Sequence, residues 1–304
     1  MKNLAILITV LIATCSTLHA YEQTTESSKD KPIYISSVAH AAEQHRVPSP
    51  ESRVPGVKDV HIVANIPATT LTLYENGKPR IRSKIAVGSG IYPTPEDKMS
   101  INHVVWNPWW IPPPSDWAKD DVKTPPGPGN PLGLVKIPMQ KGILFHGTNA
   151  RSSVGRPASH GCMRMYNEDA KALAWYLQSN FSDQTDPALL DKYKKHSRRS
   201  FHVKLNRRIP VDLIYDPVAV ENGEILLFPD YYNKVRGRRF DVIINALTQH
   251  GISRSSIDDD HVRVHASNWP ALEQRIQVHR VTHSPEAKRI LTLPAVDENV
   301  RFFH

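Results

Sequence analysis

Cysteine is scarce in this chain. Its 304 residues include two, Cys15 and Cys162. Cys15 lies in what reads as a cleaved leader, which leaves Cys162 as the one thiol of the mature chain and excludes an internal disulfide framework. Long apolar runs are equally scarce. Met1 to Ala20 has a charged start at Lys2, an apolar core from Leu4 to Ala13 and a small-residue cleavage site at Leu18-His19-Ala20, the pattern of a secretory signal. That core is too short for a permanent bilayer anchor. No later segment is apolar enough to cross a membrane, so an integral membrane protein is not expected. Leu11-Ile12-Ala13-Thr14-Cys15 is loosely similar to a lipidation box, but threonine before the cysteine is unusual there, and the cleaved leader is the reading adopted. Nucleic-acid motifs are missing as well. The net charge of +8 attracts anionic polymers, and export removes nucleic acid from the partners expected.

The remaining cysteine sits in Ser159-His160-Gly161-Cys162-Met163-Arg164. A free cysteine is often just a small buried hydrophobe, but this setting is polar and has a glycine directly before the sulfur. Glycine permits a tight turn with positive φ. Such a turn can aim the N–H groups of Gly161 and Cys162 at one point, as an oxyanion hole requires. A thiol near its free pKa is mostly protonated at neutral pH and needs a base or cation to react. His146 follows Gly142-Ile143-Leu144-Phe145, which reads as a short buried strand, and precedes Gly147-Thr148-Asn149, which reads as a turn. A histidine at that exit can place its ring beside the sulfur. His160 lies two residues before Cys162, on the same face if the segment is extended. Each histidine alone is a weak signal in a chain with 15. Zinc competes for one Cys and two His. With a single cysteine, and with Glu168 and Asp169 reading as helix-start residues, no metal is expected.

These residues resemble a family. His146-Gly147-Thr148, a loop with Gly155, then Ser159-His160-Gly161-Cys162-Met163-Arg164 and Asn167-Glu168-Asp169-Ala170 look like the signature of L,D-transpeptidase catalytic domains of the YkuD type. Upstream support comes from Ile66-Pro67-Ala68, Leu71-Thr72-Leu73-Tyr74 with Glu75-Asn76-Gly77, Ala86-Val87-Gly88 with Tyr92-Pro93-Thr94-Pro95, and Asn130-Pro131-Leu132-Gly133. The chain is similar to the periplasmic Gram-negative members. It departs from them at Glu96-Asp97-Lys98, where relatives usually carry a glycine after Thr-Pro. Some relatives carry a LysM-type wall-binding module, and none is visible here.

The resemblance implies a mostly β (α+β) fold: an L,D-transpeptidase-like β-sandwich with a helix after the catalytic cysteine and a small C-terminal appendage. The expected organisation is a signal peptide at 1–20, a polar linker at 21–57, the catalytic domain at 58–205 and an extension of unassigned role at 206–304. Residue patterns agree with this. Val60, Ile62, Ala64 and Ile66 alternate as in a half-buried strand, Leu71 and Leu73 continue the alternation to an Asn76-Gly77 hairpin turn, and Arg80 to Val87 reads as the return. Asn167 to Ser179 reads as a helix with Asn167 as N-cap, Glu168 and Asp169 in the first turn, and Ala170, Leu173, Ala174 and Leu177 as its core face. Asp169 is read as structural. Ile209 to Tyr215 reads as a strand with Pro210 near its start, and Phe240 to His250 as a helix ended by Gly251. Val104 to Gly133 is rich in Trp and Pro, and its tryptophans either cover the sheet or form a wall over the cleft.

By the same resemblance, Cys162 attacks a peptidoglycan tetrapeptide stem and forms a thioester. An amine then takes the acyl group, either from another stem (a 3→3 cross-link) or from the lysine of an envelope lipoprotein. Water as acceptor would make the protein an L,D-carboxypeptidase, and a non-catalytic wall binder is the third reading. His146 is the expected base, with its ring oriented by the Gly147 carbonyl. Ser159, His160 and Gly161 shape the oxyanion site. Thr148 and Trp110 are expected at the substrate, and Arg164 either holds a substrate carboxylate or fixes the loop through its guanidinium fork. No cofactor is required, the expected compartment is the periplasm, and a carbapenem should acylate Cys162.

Overall fold

The computed structural model describes residues 58–283. The leader, the lipidation box and the linker lie outside the described residues, as does the chain from residue 284 on. The strands are β1 Val60–Asn65, β2 Thr70–Glu75, β3 Lys78–Lys84, β4 Val87–Gly88, β5 Asp97–Trp106, β6 Val135–Pro138, β7 Leu144–Thr148, β8 Pro157–Ser159, β9 Met163–Tyr166, β10 Phe201–Ile214, β11 Val218–Glu221, β12 Glu224–Leu227 and β13 Gln274–Gln277. The helices are α1 Asn167–Phe181, α2 Ala188–Lys195, α3 Arg239–Gln249 and α4 Asp259–Ser267.

Eight strands form one mixed sheet in the order β3-β2-β1-β10-β5-β6-β7-β9. The β2–β3 hairpin turns at Asn76 and Gly77, with φ of 53° and 78°, the left-handed pair that a two-residue turn requires. The sheet bends back on itself. Just past β3, at one edge, Ala86 N–H donates to the Arg164 carbonyl at the other edge and Arg164 N–H returns the bond, at 2.8 and 3.2 Å. This closure leaves neither end strand unpaired over that stretch and brings the residues after β3 beside the cysteine segment.

Helix α1 packs its expected face into the core: Ala170, Leu173, Ala174 and Leu177 are fully buried against sheet residues that include Ile62, Leu73, Val104 and Phe145. Each such leucine contributes about 1.5–3 kcal/mol by leaving water. Asn167, however, does not cap the helix. The cap position is Tyr166, with no side-chain cap bond. The Asn167 amide instead accepts from Leu134 N–H at 3.0 Å and donates to the Thr148 carbonyl at 3.1 Å. Tertiary partners outcompete the local N–H groups for this side chain. Asp169 accepts from the Ser83 hydroxyl at 2.6 Å, tying α1 to β3.

Three other local readings change. β1 is buried on both faces, because His61 on the second face is itself buried and pairs with Asp212 at 3.3 Å. Gly147 and Thr148 remain in β7 rather than turning, because β9 pairs alongside them. The boundary expected at residue 205 falls inside β10, whose second half pairs with both β1 and β5, so the main sheet runs to Ile214.

Beyond β10 the chain forms an antiparallel sheet, β11-β12-β13, covered by α3 and α4. It has its own core of Val218, Val220, Ile225, Leu227, Ile243, Leu247, Val262 and Ile276 among others. Helix α3 ends where Gly251 adopts φ of 79°. A small cluster of Ala68, Ala219, Leu226 and Phe228 joins this sheet to the first.

Candidate active site

Cys162 and His146 come together through strand register. β7 and β9 are parallel neighbours with Phe145 opposite Met163 and His146 opposite Arg164. Cys162 directly precedes this ladder, at the end of the bend formed by residues 160–162, and its sulfur lies by the Gly142 carbonyl and the Leu144 N–H at the start of the strand that carries His146.

The ring of His146 is buried. Its Nδ1 lies 2.7 Å from the Gly147 carbonyl. A carbonyl only accepts, so Nδ1 carries the proton and Nε2 presents a lone pair. Burial, opposed by that hydrogen bond and aided by the Arg164 charge, lowers the His146 pKa to about 4. For Cys162, burial raises the thiol pKa, and the Leu144 N–H and the Arg164 charge counter it. The resting pair is therefore a neutral thiol and a neutral imidazole. The thiol is turned to the Gly142 carbonyl at 3.6 Å. Contacts between a nucleophile and its base are often loose before substrate binds.

Gly161 makes the turn before the sulfur, with φ of 105°, a conformation that a side chain rarely adopts. Ser159 holds that turn: its hydroxyl donates to the Cys162 carbonyl and accepts from Gly161 N–H at 3.1 Å. The Gly161 N–H expected at an oxyanion hole is thus engaged within the loop. His160 does not share an extended segment with Cys162, because residues 160–162 bend. Its exposed ring stacks on Trp117 with centroids 4.0 Å apart and planes within 2°, and meets Tyr92 at 4.8 Å.

Three residues read from the sequence as substrate contacts have these surroundings in the structure. Thr148 is buried, and its hydroxyl accepts from Ala150 N–H at 3.1 Å, a bond of its own strand end. Trp110 is bridged to Thr124 by backbone bonds, and the tryptophan at the catalytic loop is Trp117. The sequence offered no period that separates the two within a proline-stiffened loop. Trp106 covers the sheet, with its Nε1 donating to Gln178 at 2.7 Å. Arg164 is half-buried, and among the described residues its guanidinium makes no hydrogen bond or ion pair. It fixes no backbone carbonyl and remains a cation beside the sulfur.

Gly147 is needed for space. A Cβ there would lie 2.2 Å from the Asn167 Oδ1, so the strand exit beside the base admits only glycine without movement. Thr94 is a residue that sequence reasoning passed over as a contact. It is buried, and its hydroxyl donates to the Gly161 carbonyl at 2.8 Å while accepting from Gly88 N–H at 2.8 Å. The signal was its place in Tyr92-Pro93-Thr94-Pro95. Among the described residues no group of three His, Cys, Asp or Glu is placed to hold a metal ion.

The family model of the L,D-transpeptidase catalytic domain, YkuD, matches residues 59–190. Residues 59–190 are thus similar to the YkuD L,D-transpeptidase catalytic domain. The probable L,D-transpeptidase ErfK/SrfK of Salmonella typhimurium is 31% identical over 145 residues, covering 45% of this chain and 46% of that protein. The putative L,D-transpeptidase YkuD of Bacillus subtilis is 32% identical over 127 residues, covering 40% and 65%. A putative L,D-transpeptidase of Haemophilus influenzae is 24% identical over 263 residues, covering 70% and 52%. The chain spans about half the length of the first of these curated relatives. Among solved structures, an L,D-transpeptidase from Mycobacterium tuberculosis overlaps 52% of this chain and 58% of its own at 16% identity, with a TM-score of 0.33. The YkuD match ends before β10, so the last strand of the main sheet and the whole β11-β12-β13 unit lie beyond it.

Proposed function

We propose that this protein is a peptidoglycan L,D-transpeptidase with Cys162 as nucleophile and His146 as base. The observation that supports the reading is the parallel pairing of β7 with β9, which sets Cys162 at the start of the strand beside the one that carries His146, with the imidazole held by Gly147 so that Nε2 is the basic atom. Cys162 Sγ attacks the carbonyl of the third residue of a tetrapeptide stem while its proton passes to His146 Nε2. The tetrahedral adduct collapses, the terminal D-amino acid leaves as an amine carrying that proton, and a thioester remains. An acceptor amine then attacks the thioester, gives its proton to Nε2 and restores the thiol. Because both groups rest neutral, proton transfer accompanies attack rather than preceding it. The Arg164 cation favours negative charge on the sulfur and is the group placed to meet a stem carboxylate. The Trp117, His160 and Tyr92 rings cluster at the cysteine turn, a surface suited to apolar portions of a stem.

The acceptor is an amine of a second stem or of an envelope lipoprotein, and the site of action is the periplasm, supported by the export signal read in the sequence. Among the described residues no helix is long and apolar enough to cross a membrane. The test is to incubate the mature protein with disaccharide tetrapeptides and read the products by mass. Cross-linked dimers are expected from wild type and none from Cys162→Ala. Tripeptide alone would make water the acceptor, and unchanged turnover by Cys162→Ala would overturn the mechanism.

A further inference from the structure

A side chain from beyond the family match, Tyr232, reaches the segment that packs against the catalytic turn. Residues 88–94 form a strap beside Ser159–Cys162. Ser89 N–H donates to the Ser159 carbonyl at 2.9 Å, the Tyr92 ring meets His160, and Thr94 holds the Gly161 carbonyl. The strap is closed so tightly that a Cβ on Gly88 would lie 2.1 Å from the Tyr92 carbonyl oxygen and 2.5 Å from Thr94 N. The hydroxyl that completes it belongs to Tyr232, 138 residues after Thr94. It accepts from Thr94 N–H at 3.1 Å and donates to the Gly88 carbonyl at 2.7 Å.

Tyr232 is itself fixed from two sides. Its N–H donates to the Tyr215 hydroxyl at 2.9 Å, and that hydroxyl donates to Asp230 at 2.8 Å. The Asp230 carboxylate also accepts from Lys234 and Val235 N–H. An ion pair joins Lys234 to Glu96. Tyr215 begins just past β10, so the anchor is continuous with the main sheet.

We propose that Tyr232 is a positioning residue for the reaction. It acts through Thr94 to set the carbonyl of Gly161 and so the direction from which Cys162 meets an acyl carbon, which makes part of the C-terminal extension a component of the active site. This rests on the transpeptidase reading given above. It assigns the extension a role in acyl transfer, where local stability alone would need no contact with the catalytic turn. Replacing the hydroxyl with hydrogen strands the Thr94 N–H and the Gly88 carbonyl inside the strap, and buried unpartnered groups move to find partners.

The test follows acylation of the full-length protein by imipenem, read by intact mass. Tyr232→Phe is expected to lower the maximal acylation rate about tenfold, the scale of losing one or two neutral hydrogen bonds. The half-saturating imipenem concentration should change less than about twofold. Thr94→Val should show a similar loss, and the double variant should lose no more than the worse single, because the two act through one contact. An unchanged rate, a change confined to half-saturation, or losses that multiply would overturn the proposal. Ile257→Ala, in the core of the C-terminal unit, controls for stability: it should lower the melting temperature and leave acylation intact, and an equal slowing there would also overturn the proposal. If Tyr232→Phe does not fold, Thr94→Ser must keep the rate that Thr94→Val loses. If wild type is neither acylated nor active on stems, the transpeptidase reading fails by itself. Alkylation of Cys162 by iodoacetamide in the same variants then decides the positioning role, with slowing in Tyr232→Phe expected and an unchanged rate against it.

Discussion

The main sheet and the C-terminal unit are built from the same materials and differ in what their polar groups do. Both have a closed apolar core with a helix laid on a sheet. Before residue 215 many polar side chains are buried, and beside the cysteine turn His146, Ser159 and Thr94 are nearly inaccessible, each with a named partner. Among the described residues beyond it, Glu221 is the buried polar side chain, and the core lining is largely aliphatic. Buried polar groups cost stability unless satisfied, so the satisfied set beside Cys162 fixes local geometry at that cost. The C-terminal unit reaches that geometry through Tyr232 and its neighbours.

The comparison breaks most sharply at the base. His146→Gln should lower Cys162 acylation by about 10²–10⁴-fold, the usual worth of a general base, with the fold retained by circular dichroism. Truncating any aliphatic residue of the second core should leave the chemistry untouched. Next in size are the cores themselves. Phe145→Ala should cost about 3–5 kcal/mol and Leu247→Ala about 2–5 kcal/mol. Denaturant unfolding followed by Trp106 fluorescence should report the first change more strongly, because Trp106 lies in the main core.

The pH dependence of stability is a third distinction. The His146 pKa falls from 6.5 to about 4 on folding, so the unfolded chain binds the extra proton between those values. Stability from this residue is complete above about pH 6.5 and is lost as pH falls toward 4, by about 3 kcal/mol in total. Urea midpoints across that range should flatten in His146→Gln. Arg164→Gln should move the alkylation midpoint of Cys162 to higher pH, because the cation that favours the thiolate is gone. A stopped-flow alkylation series would measure it, and a shift to lower pH would contradict the charge's role. The smallest effect is expected at the rim: Lys234→Ala removes a partly exposed ion pair with Glu96 and should cost less than about 1 kcal/mol in a thermal melt.

Much of the main sheet was legible because its signals are local. The Asn76-Gly77 turn, the alternation through β1 and β2, and the apolar face of α1 each follow from a few consecutive side chains. Asn167 misled for the same reason: it has the chemistry of a helix cap, yet Leu134 and Thr148, distant in sequence, provide better-placed partners. Trp110 and Trp117 are indistinguishable by residue type, and only packing against His160 tells them apart.

The sequence alone determined the candidate chemistry: one thiol, a glycine before it, an imidazole after a short apolar run, and a motif similar to that of the YkuD domain. These are properties of residue type and short spacing. Only the tertiary structure decided which groups touch them. The parallel register of β7 and β9 sets the cysteine bend beside the strand that carries His146, Ser159 occupies the Gly161 N–H, and a tyrosine hydroxyl from beyond the family match closes the strap. Such contacts depend on long-range register and loop closure, and no local pattern in the chain encodes which distant group will fill a given hydrogen bond.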